Sequence, residues 1–444
     1  MSSSRQYDLY PHHLEHVRAA VDQALEQSGH DALIIHSGSS DYRFRDDMPY
    51  PFMVNALFAW WVPEAVPESL LVYRPGETPQ LYFYQPVDYW HSVPAPPDPA
   101  WAASYALTPI AEADAWRKQV TDSAGAAVIG DAPILSQHFS AAALNPPALL
   151  HRLDLIRTVK TPYEQMCLAR ANLRAARGHR AAARTFSDGQ SEFAIHLAYL
   201  QATSHNDSEL PYSNIIALND HGSILHYHGL ERERPDELYS FLIDAGATYQ
   251  GYAADITRTY TRQQGGLFSE LVTALDKTQL ELVDGARDGV DYRQLHLRAH
   301  QAIATLLADS GIVRMSPEAM VAEGVSSAFF PHGLGHYLGL QVHDVGGLLA
   351  DAIGESLPRP EGHPFLRLTR PLAAGNVLTI EPGLYFIPQL LQPLRDHPAH
   401  GARIDWATIE TLLPYGGIRI EDDVIVQLEG PPRNLSREAF AQLE

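Results

Sequence analysis

The sequence predicts an α/β (α+β) protein of two domains, a mixed-sheet α/β domain at residues 1–158 and a larger catalytic domain at residues 159–444. Three observations carry this reading. The length of 444 residues exceeds the usual size of one domain. Short runs of β-branched and aromatic residues alternate with helical patterns in both halves. Near residue 158 the character changes, because Thr161-Pro162-Tyr163-Glu164 carries an N-cap, a first-turn proline and an N3 glutamate, the opening of a long helix.

In chain order, a helical pattern runs from His13 to about Ser28, and residues 32–35 read as a short buried strand. A loop rich in charge and aromatic residues follows, over residues 37–51. Residues 70–73 and 81–84 flank Arg74-Pro75-Gly76-Glu77-Thr78-Pro79, which has the composition of a hairpin turn. The proline-rich residues 93–99 form a rigid connection, and residues 127–130 read as another strand. The helix opened at Thr161 extends to about Phe186, and a second starts at Ser191. Strands are expected at residues 213–218 and 224–228. Leu267, Leu271, Leu275 and Leu282 mark one helix face, while Leu295, Ala299, Ile303 and Leu306 mark another, stopped by Gly311. These rows are core.

Composition narrows the function. Hydrophobic content of 45% with 19% charged residues describes a globular chain, and a net charge of −21 disfavours nucleic acid and anionic membranes as partners. Cys167, the single cysteine, cannot form an internal disulfide and reads as a buried thiol on a helix face. Residues 1–8 lack an apolar signal core, and no run of about 18 apolar residues occurs, so a cytoplasmic location is expected.

The chemistry centres on residues 239–260, where two apolar, β-branched runs flank a glycine-bounded link and read as an antiparallel hairpin. With the turn centred on Tyr249-Gln250, Asp244 lies opposite Asp255. Facing residues on one sheet surface have Cβ atoms about 5 Å apart, so two carboxylates there repel unless a cation lies between them. Farther along, residues 329–347 pack His332, His336 and His343 among glycines. Gly333 and Gly335 argue against a helical zinc motif and for a tight loop that aims imidazoles into a cleft. The apolar run 377–380 ends on Glu381 before a Pro-Gly break, and in residues 416–422 alternation places Arg419 and Glu421 on one face, with an Arg419–Glu421 ion pair as the alternative to a ligand role. Two Asp, one His and two Glu make an oxygen-rich set suited to Mn²⁺ or another hard or borderline divalent ion. Four carboxylates over-neutralise one dication, so two ions with bridging carboxylates and a bridging hydroxide nucleophile are expected.

Asp244 with Asp255 eleven positions on, His332-Gly-Leu-Gly-His336, Glu381-Pro-Gly and Gly417-Ile-Arg-Ile-Glu421 together resemble the pita-bread metallopeptidases, in particular bacterial Xaa-Pro dipeptidases (prolidases) and the organophosphorus acid anhydrolases among them. Residues 46–52 and 86–91 extend the likeness into the first half. The resemblance implies a creatinase/prolidase-type N-terminal domain, a pita-bread catalytic domain and two Mn²⁺ ions per subunit. In it Asp244 chelates one ion, Asp255 and Glu421 bridge both, and His336 and Glu381 complete the second. Glu381 resembles the family's proton shuttle, His332 and His343 match histidines at the substrate carbonyl and oxyanion, and His226 matches another active-site histidine. Arg419 and Arg367 match positions that hold the substrate carboxylate, and the resemblance further implies that Tyr212 lines the pocket and that Trp90 or Asp46 reaches in from the N-terminal domain of a partner subunit. The expected activity is hydrolysis of Xaa-Pro dipeptides by a homodimer, with phosphotriester hydrolysis beside it. Aminopeptidase P-like cleavage of longer peptides and a non-catalytic binding module are the alternatives.

Overall fold

Strand pairing in the computed structural model, which describes residues 7–64, 66–121, 124–131 and 133–443, builds each half from its own sheets. Residues 1–6, most of the N-terminal stretch read above, lie outside the described residues. One compact unit takes the chain to Glu164 together with Leu349–Glu355, and the other takes Gln165–Leu348 with the remainder.

The first unit holds β1 (Ala32–His36), β2 (Leu70–Tyr73), β3 (Gln80–Tyr84), β4 (Ala106–Ile110) and β5 (Ala126–Ile129) in the order β4-β3-β2-β1-β5. β1 and β2, and β2 and β3, run antiparallel, whereas β1–β5 and β3–β4 are parallel, so the sheet is mixed. β4 was not legible, because Pro109 breaks its pattern. An edge strand tolerates a proline, and β4 is an edge. The first helix, Tyr10–Ser28, begins three residues before the expected start and ends on Gly29 at φ 75°.

In the second half, Thr161 and Glu164 exchange the two bonds of a capping box ahead of the helix Pro162–Ser187: the Thr161 N–H reaches Glu164 Oε2 at 2.8 Å, and the Glu164 N–H reaches Thr161 Oγ1 at 3.4 Å. Ser191 caps the next helix, Glu192–Thr203. β6 (Ile215–Leu218), β7 (Ser240–Asp244), the short pair β8 (Thr248–Tyr249) and β9 (Tyr252–Ala253), and β10 (Thr257–Thr261) follow, with sheet order β10-β7-β6. The hairpin register differs from the expected one: Asp244 faces Thr257, not Asp255. The turn sits on Gln250-Gly251, at φ 52° and 79°, because a two-residue hairpin turn needs positive φ at both central positions and glycine supplies one without strain. Moving the turn centre by one residue displaces each partner by two, which keeps side chains on the same sheet face. Asp255 therefore stays on the side of Asp244, as a diagonal neighbour.

Residues 224–228 form no strand. They leave a tight turn at Asn219–Ser223, and their path is set by Tyr227, whose hydroxyl reaches Glu192 Oε2 at 2.7 Å and whose ring stacks on His221. The leucine rows lie on the helices Leu267–Asp284 and Tyr292–Asp309, where Leu271, Leu275, Leu282, Leu295, Ala299 and Ile303 are buried. Leu306 is only half-buried, and Leu307 takes its place in the core. β11 (Val377–Ile380), β12 (Gly383–Tyr385), β13 (Gly417–Arg419), β14 (Asp422–Ile425) and β15 (Arg433–Asn434) complete the unit as sheets β11-β14-β15 and β12-β13. Glu381 ends β11, and Glu421 sits at the break between β13 and β14, bridged to Thr257 of β10.

Gly246 lies where the hairpin crosses between Asp244 and Asp255. A Cβ there would come 2.1 Å from the Ala254 carbonyl oxygen and 2.8 Å from the Tyr212 ring. Gly246→Ala should therefore cost on the order of 3 kcal/mol and lower Tm by several degrees in thermal denaturation. An unchanged melt would contradict this packing.

Candidate metal centre

Four strand ends and one loop deliver the acidic cluster. Asp244 closes β7, Asp255 lies in the crossing before β10, Glu381 follows β11, Glu421 occupies the β13–β14 break, and His336 comes from the glycine loop. Ligand atoms of Asp255, His336 and Glu421 lie within 4.8 Å of one another, and all three residues are buried. His336 Nε2 stands 3.5 Å from Asp255 Oδ2 and 3.7 Å from Glu381 Oε1. Its Nδ1 lies 3.0 Å from the Tyr337 carbonyl oxygen, a bond that fixes the ring with Nε2 toward the acids. Gly335 makes this approach feasible, since a Cβ there would come 2.1 Å from the Thr379 carbonyl oxygen. Tyr212 Oη stands 2.8 Å from Asp244 Oδ1 and 2.5 Å from Asp255 Oδ1, and Thr257 Oγ1 donates to Glu421 Oε2 at 2.6 Å.

Electrostatics show what this cluster lacks. Burial raises the Asp244 carboxyl, with Arg419 opposing, and raises Glu421 well above its ordinary range, helped by Asp255, Glu381 and Asp244. Burial lifts Glu381 to about 7 against the pull of His336. For Asp255 burial works upward too, but the hydrogen bond and charge of His336 hold it below the usual value. Burial lowers the His336 imidazole, yet the bond to Asp255 and the charge of Glu381 raise it to about 9. Asp244, Glu381 and Glu421 are thus shifted toward their protonated forms for want of positive charge. An oxygen-rich, buried set with one imidazole and excess negative charge fits divalent cations.

The cluster opens on a cavity of about 570 Å³ that His226, His332, His343, Arg367 and Phe365 also line. His332 Nε2 lies 2.8 Å from Tyr385 Oη, and its Nδ1 is 2.8 Å from the Gly333 carbonyl oxygen. Burial, then Arg419, depresses His332 to about 3. His343 packs edge-on against His336 at 4.4 Å, and burial, His336 and Arg367 lower it to about 4. Both rings are neutral near pH 7. Arg419 does not pair with Glu421: its Nη2 donates to Asp244 Oδ2 at 2.7 Å and its Nη1 to Tyr385 Oη at 2.7 Å. Glu421, buried as well, takes its hydrogen bond from Thr257 Oγ1 instead. Tyr212, expected to line the pocket, hydrogen-bonds both aspartates and is not among the cavity's lining residues. Asp46 and Trp90 belong to the first unit, where both are exposed, and neither is among the cavity's lining residues.

Sequence reasoning missed Tyr385, Thr257 and Asp423. Asp423 Oδ2 accepts from the Asp255 N–H at 3.0 Å and from Asn172 Nδ2 at 2.8 Å, which holds the hairpin crossing in place. The double acidic step Asp422-Asp423 inside an apolar strand was the available signal.

Comparisons with known proteins follow this geometry. Residues 8–155 match the family model described as Xaa-Pro dipeptidase, N-terminal domain, and residues 166–427 match metallopeptidase family M24. An Xaa-Pro dipeptidase of Xanthomonas campestris pv. campestris (strain B100) is 48% identical over 443 residues, covering 98% of each chain. One from Stenotrophomonas maltophilia (strain K279a) is 44% identical over 435 residues, covering 98% of this chain and 97% of that one. Among solved structures, E. coli aminopeptidase P with the inhibitor Pro-Leu superposes with a TM-score of 0.71 at 23% identity over 99% of this chain and 98% of that one. Proline aminopeptidase P II from Yersinia pestis gives 0.69 at 24% identity, covering 95% and 96%. The C-terminal unit thus has the pita-bread fold of these neighbours.

The His336 shift predicts a pH effect on stability. A base raised in the folded state contributes stability below its unfolded value, near 6.5, and loses it as pH climbs through about 9. In chelator, Tm should fall by a few degrees between about pH 7 and pH 9. Saturating divalent cation should flatten or reverse that slope, because it replaces the proton. Equal slopes with and without cation, read by thermal melts, would contradict the assignment.

Proposed function

This chain belongs to metallopeptidase family M24, and on that premise we propose that it hydrolyses Xaa-Pro dipeptides and releases the C-terminal proline. The observation that carries the reading is the meeting of Asp244, Asp255, His336, Glu381 and Glu421 on a cavity that also presents neutral His332 and His343 and the guanidinium of Arg367. Proline's amide lacks an N–H and fixes φ, so its bond needs a dedicated pocket.

In this reading those five residues would hold two divalent ions, for which Mn²⁺ suits the ligand set. When bound, the ions supply Lewis acidity and lower the pKa of a water. The chain's own groups do the rest. Glu381 holds the proton that the proline nitrogen takes on leaving. A ring nitrogen of neutral His343 is a donor for the carbonyl oxygen as charge develops on it, while His332, whose Nδ1–H donates to the Gly333 carbonyl oxygen and whose Nε2 accepts from Tyr385 Oη, lines the same pocket. Arg367 offers a planar fork to the substrate carboxylate. Arg419, expected beside it, is engaged with Asp244 and Tyr385, which makes it a positioning residue for Asp244. His226 lines the same cavity and is assigned to substrate contact. Phosphotriester hydrolysis by the same centre belongs to the proposal, as does a homodimer, through which alone Asp46 and Trp90 enter it.

Protein loaded with Mn²⁺ should release proline from Ala-Pro and Leu-Pro. Asp255→Asn should lower kcat/KM by about 10³-fold through lost charge stabilisation, and Arg367→Ala should raise KM about tenfold by removing a charged hydrogen bond. Faster cleavage of Ala-Pro-Ala than of Ala-Pro would turn the reading toward aminopeptidase P-like action. No proline release from either dipeptide by loaded protein would overturn it.

A further inference from the structure

Apart from the acidic centre, three histidines meet at a second cavity of about 210 Å³. His296 and His300 stand one turn apart on the helix Tyr292–Asp309, at positions that share a helix face. His363 reaches them from the segment that precedes Pro364 and Phe365. The rings touch pairwise, with centres 4.7 Å apart for His296 and His300, 4.6 Å for His296 and His363, and 4.4 Å for His300 and His363. One ring nitrogen of each lies within 4.8 Å of the other two. His296 Nε2 and His363 Nδ1 are 3.0 Å apart, near the spacing of two nitrogens on one ion at about 2.0–2.1 Å.

Packing alone does not account for this cluster. His300 Nδ1 lies 3.1 Å from Ser326 Oγ, but its Nε2 is buried without a hydrogen-bond partner, and a buried polar atom left unsatisfied is destabilising. Phe330 packs beside both rings, so the surroundings suit an apolar side chain better than an imidazole. Burial and the neighbouring rings push His296 down to about 2 and His300 to about 3, which leaves them neutral, the form that ligates metals.

We propose that His296, His300 and His363 form a binding site for one borderline divalent cation, Zn²⁺ in preference to Mn²⁺, separate from the carboxylate centre. An all-imidazole set selects zinc and its neighbours, whereas carboxylates suit manganese, so the two centres differ in the ion they prefer. Three protein ligands leave a fourth tetrahedral position for water. Pro331, His332, Pro364, Phe365 and Leu390 line both cavities, so an ion on His363 also anchors a wall of the substrate cavity.

The test is equilibrium dialysis of the full-length protein against micromolar Zn²⁺, with metal counted per chain. His363 is half-buried, so His363→Asn leaves the core intact. Wild type should bind one Zn²⁺ more than His363→Asn. The double variant Asp255→Asn with Glu421→Gln should keep that extra ion while losing the acidic centre's. Dipeptide hydrolysis by Mn²⁺-loaded His363→Asn should persist, which separates this site from the activity proposed above. Equal zinc content in folded wild type and His363→Asn, or loss of the extra ion together with the acidic centre, would overturn the proposal.

Discussion

Mutual repulsion among four carboxylates is the constraint around which the catalytic unit is built. Asp244 and Asp255 come from one hairpin and Glu381 and Glu421 from two later stretches of chain, and bringing the four into one pocket is unfavourable unless each is compensated. Arg419 holds Asp244, Tyr212 spans the two aspartates, Thr257 holds Glu421, and His336 faces Asp255 and Glu381. These contacts orient the acids but do not balance their charge, and burial with the neighbouring carboxylates shifts Glu381 and Glu421 upward.

Strand geometry makes the convergence affordable in space. Each acid sits where a strand ends or breaks, so the apolar part of the strand stays in the core while its last residue turns to the pocket. The buried runs 240–243, 377–380 and 422–425 carry the packing. Gly246 and Gly335 allow backbones to approach where a side chain would collide with a carbonyl oxygen. A second layer then fixes the first: Asp423 holds the Asp255 backbone, and Tyr385 joins His332 to Arg419.

How much of this the sequence disclosed follows from the range of each interaction. Local signals were legible: the capping box at Thr161 and Glu164 and the leucine rows of the long helices depend on residues within a turn or two. The carboxylates at strand ends were legible as well, because acids terminating apolar runs stand out. The hairpin register was not, since shifting a turn by one residue depends on which positions tolerate positive φ. Arg419 was expected at the substrate carboxylate, with Glu421 two positions away as the alternative, whereas its partner Asp244 is 175 positions distant. Tyr385 hides for another reason, because tyrosine in a strand reads as β-propensity until its hydroxyl is seen to join His332 to Arg419. The 224–228 run mimics a strand in composition, yet side-chain bonds to Glu192 determine its course.

The molecule also separates two kinds of histidine. His336, against the effect of burial, is pushed toward its charged form by the acids it faces, while His332 and His343 are held neutral by burial first and by arginine and other imidazoles second. The central claim is that the acidic set exists to grip cations, and anomalous diffraction from crystals grown with Mn²⁺ tests it most directly. The account predicts two manganese peaks coordinated by Asp244, Asp255, His336, Glu381 and Glu421. Crystals with manganese elsewhere and none among these five side chains would contradict it.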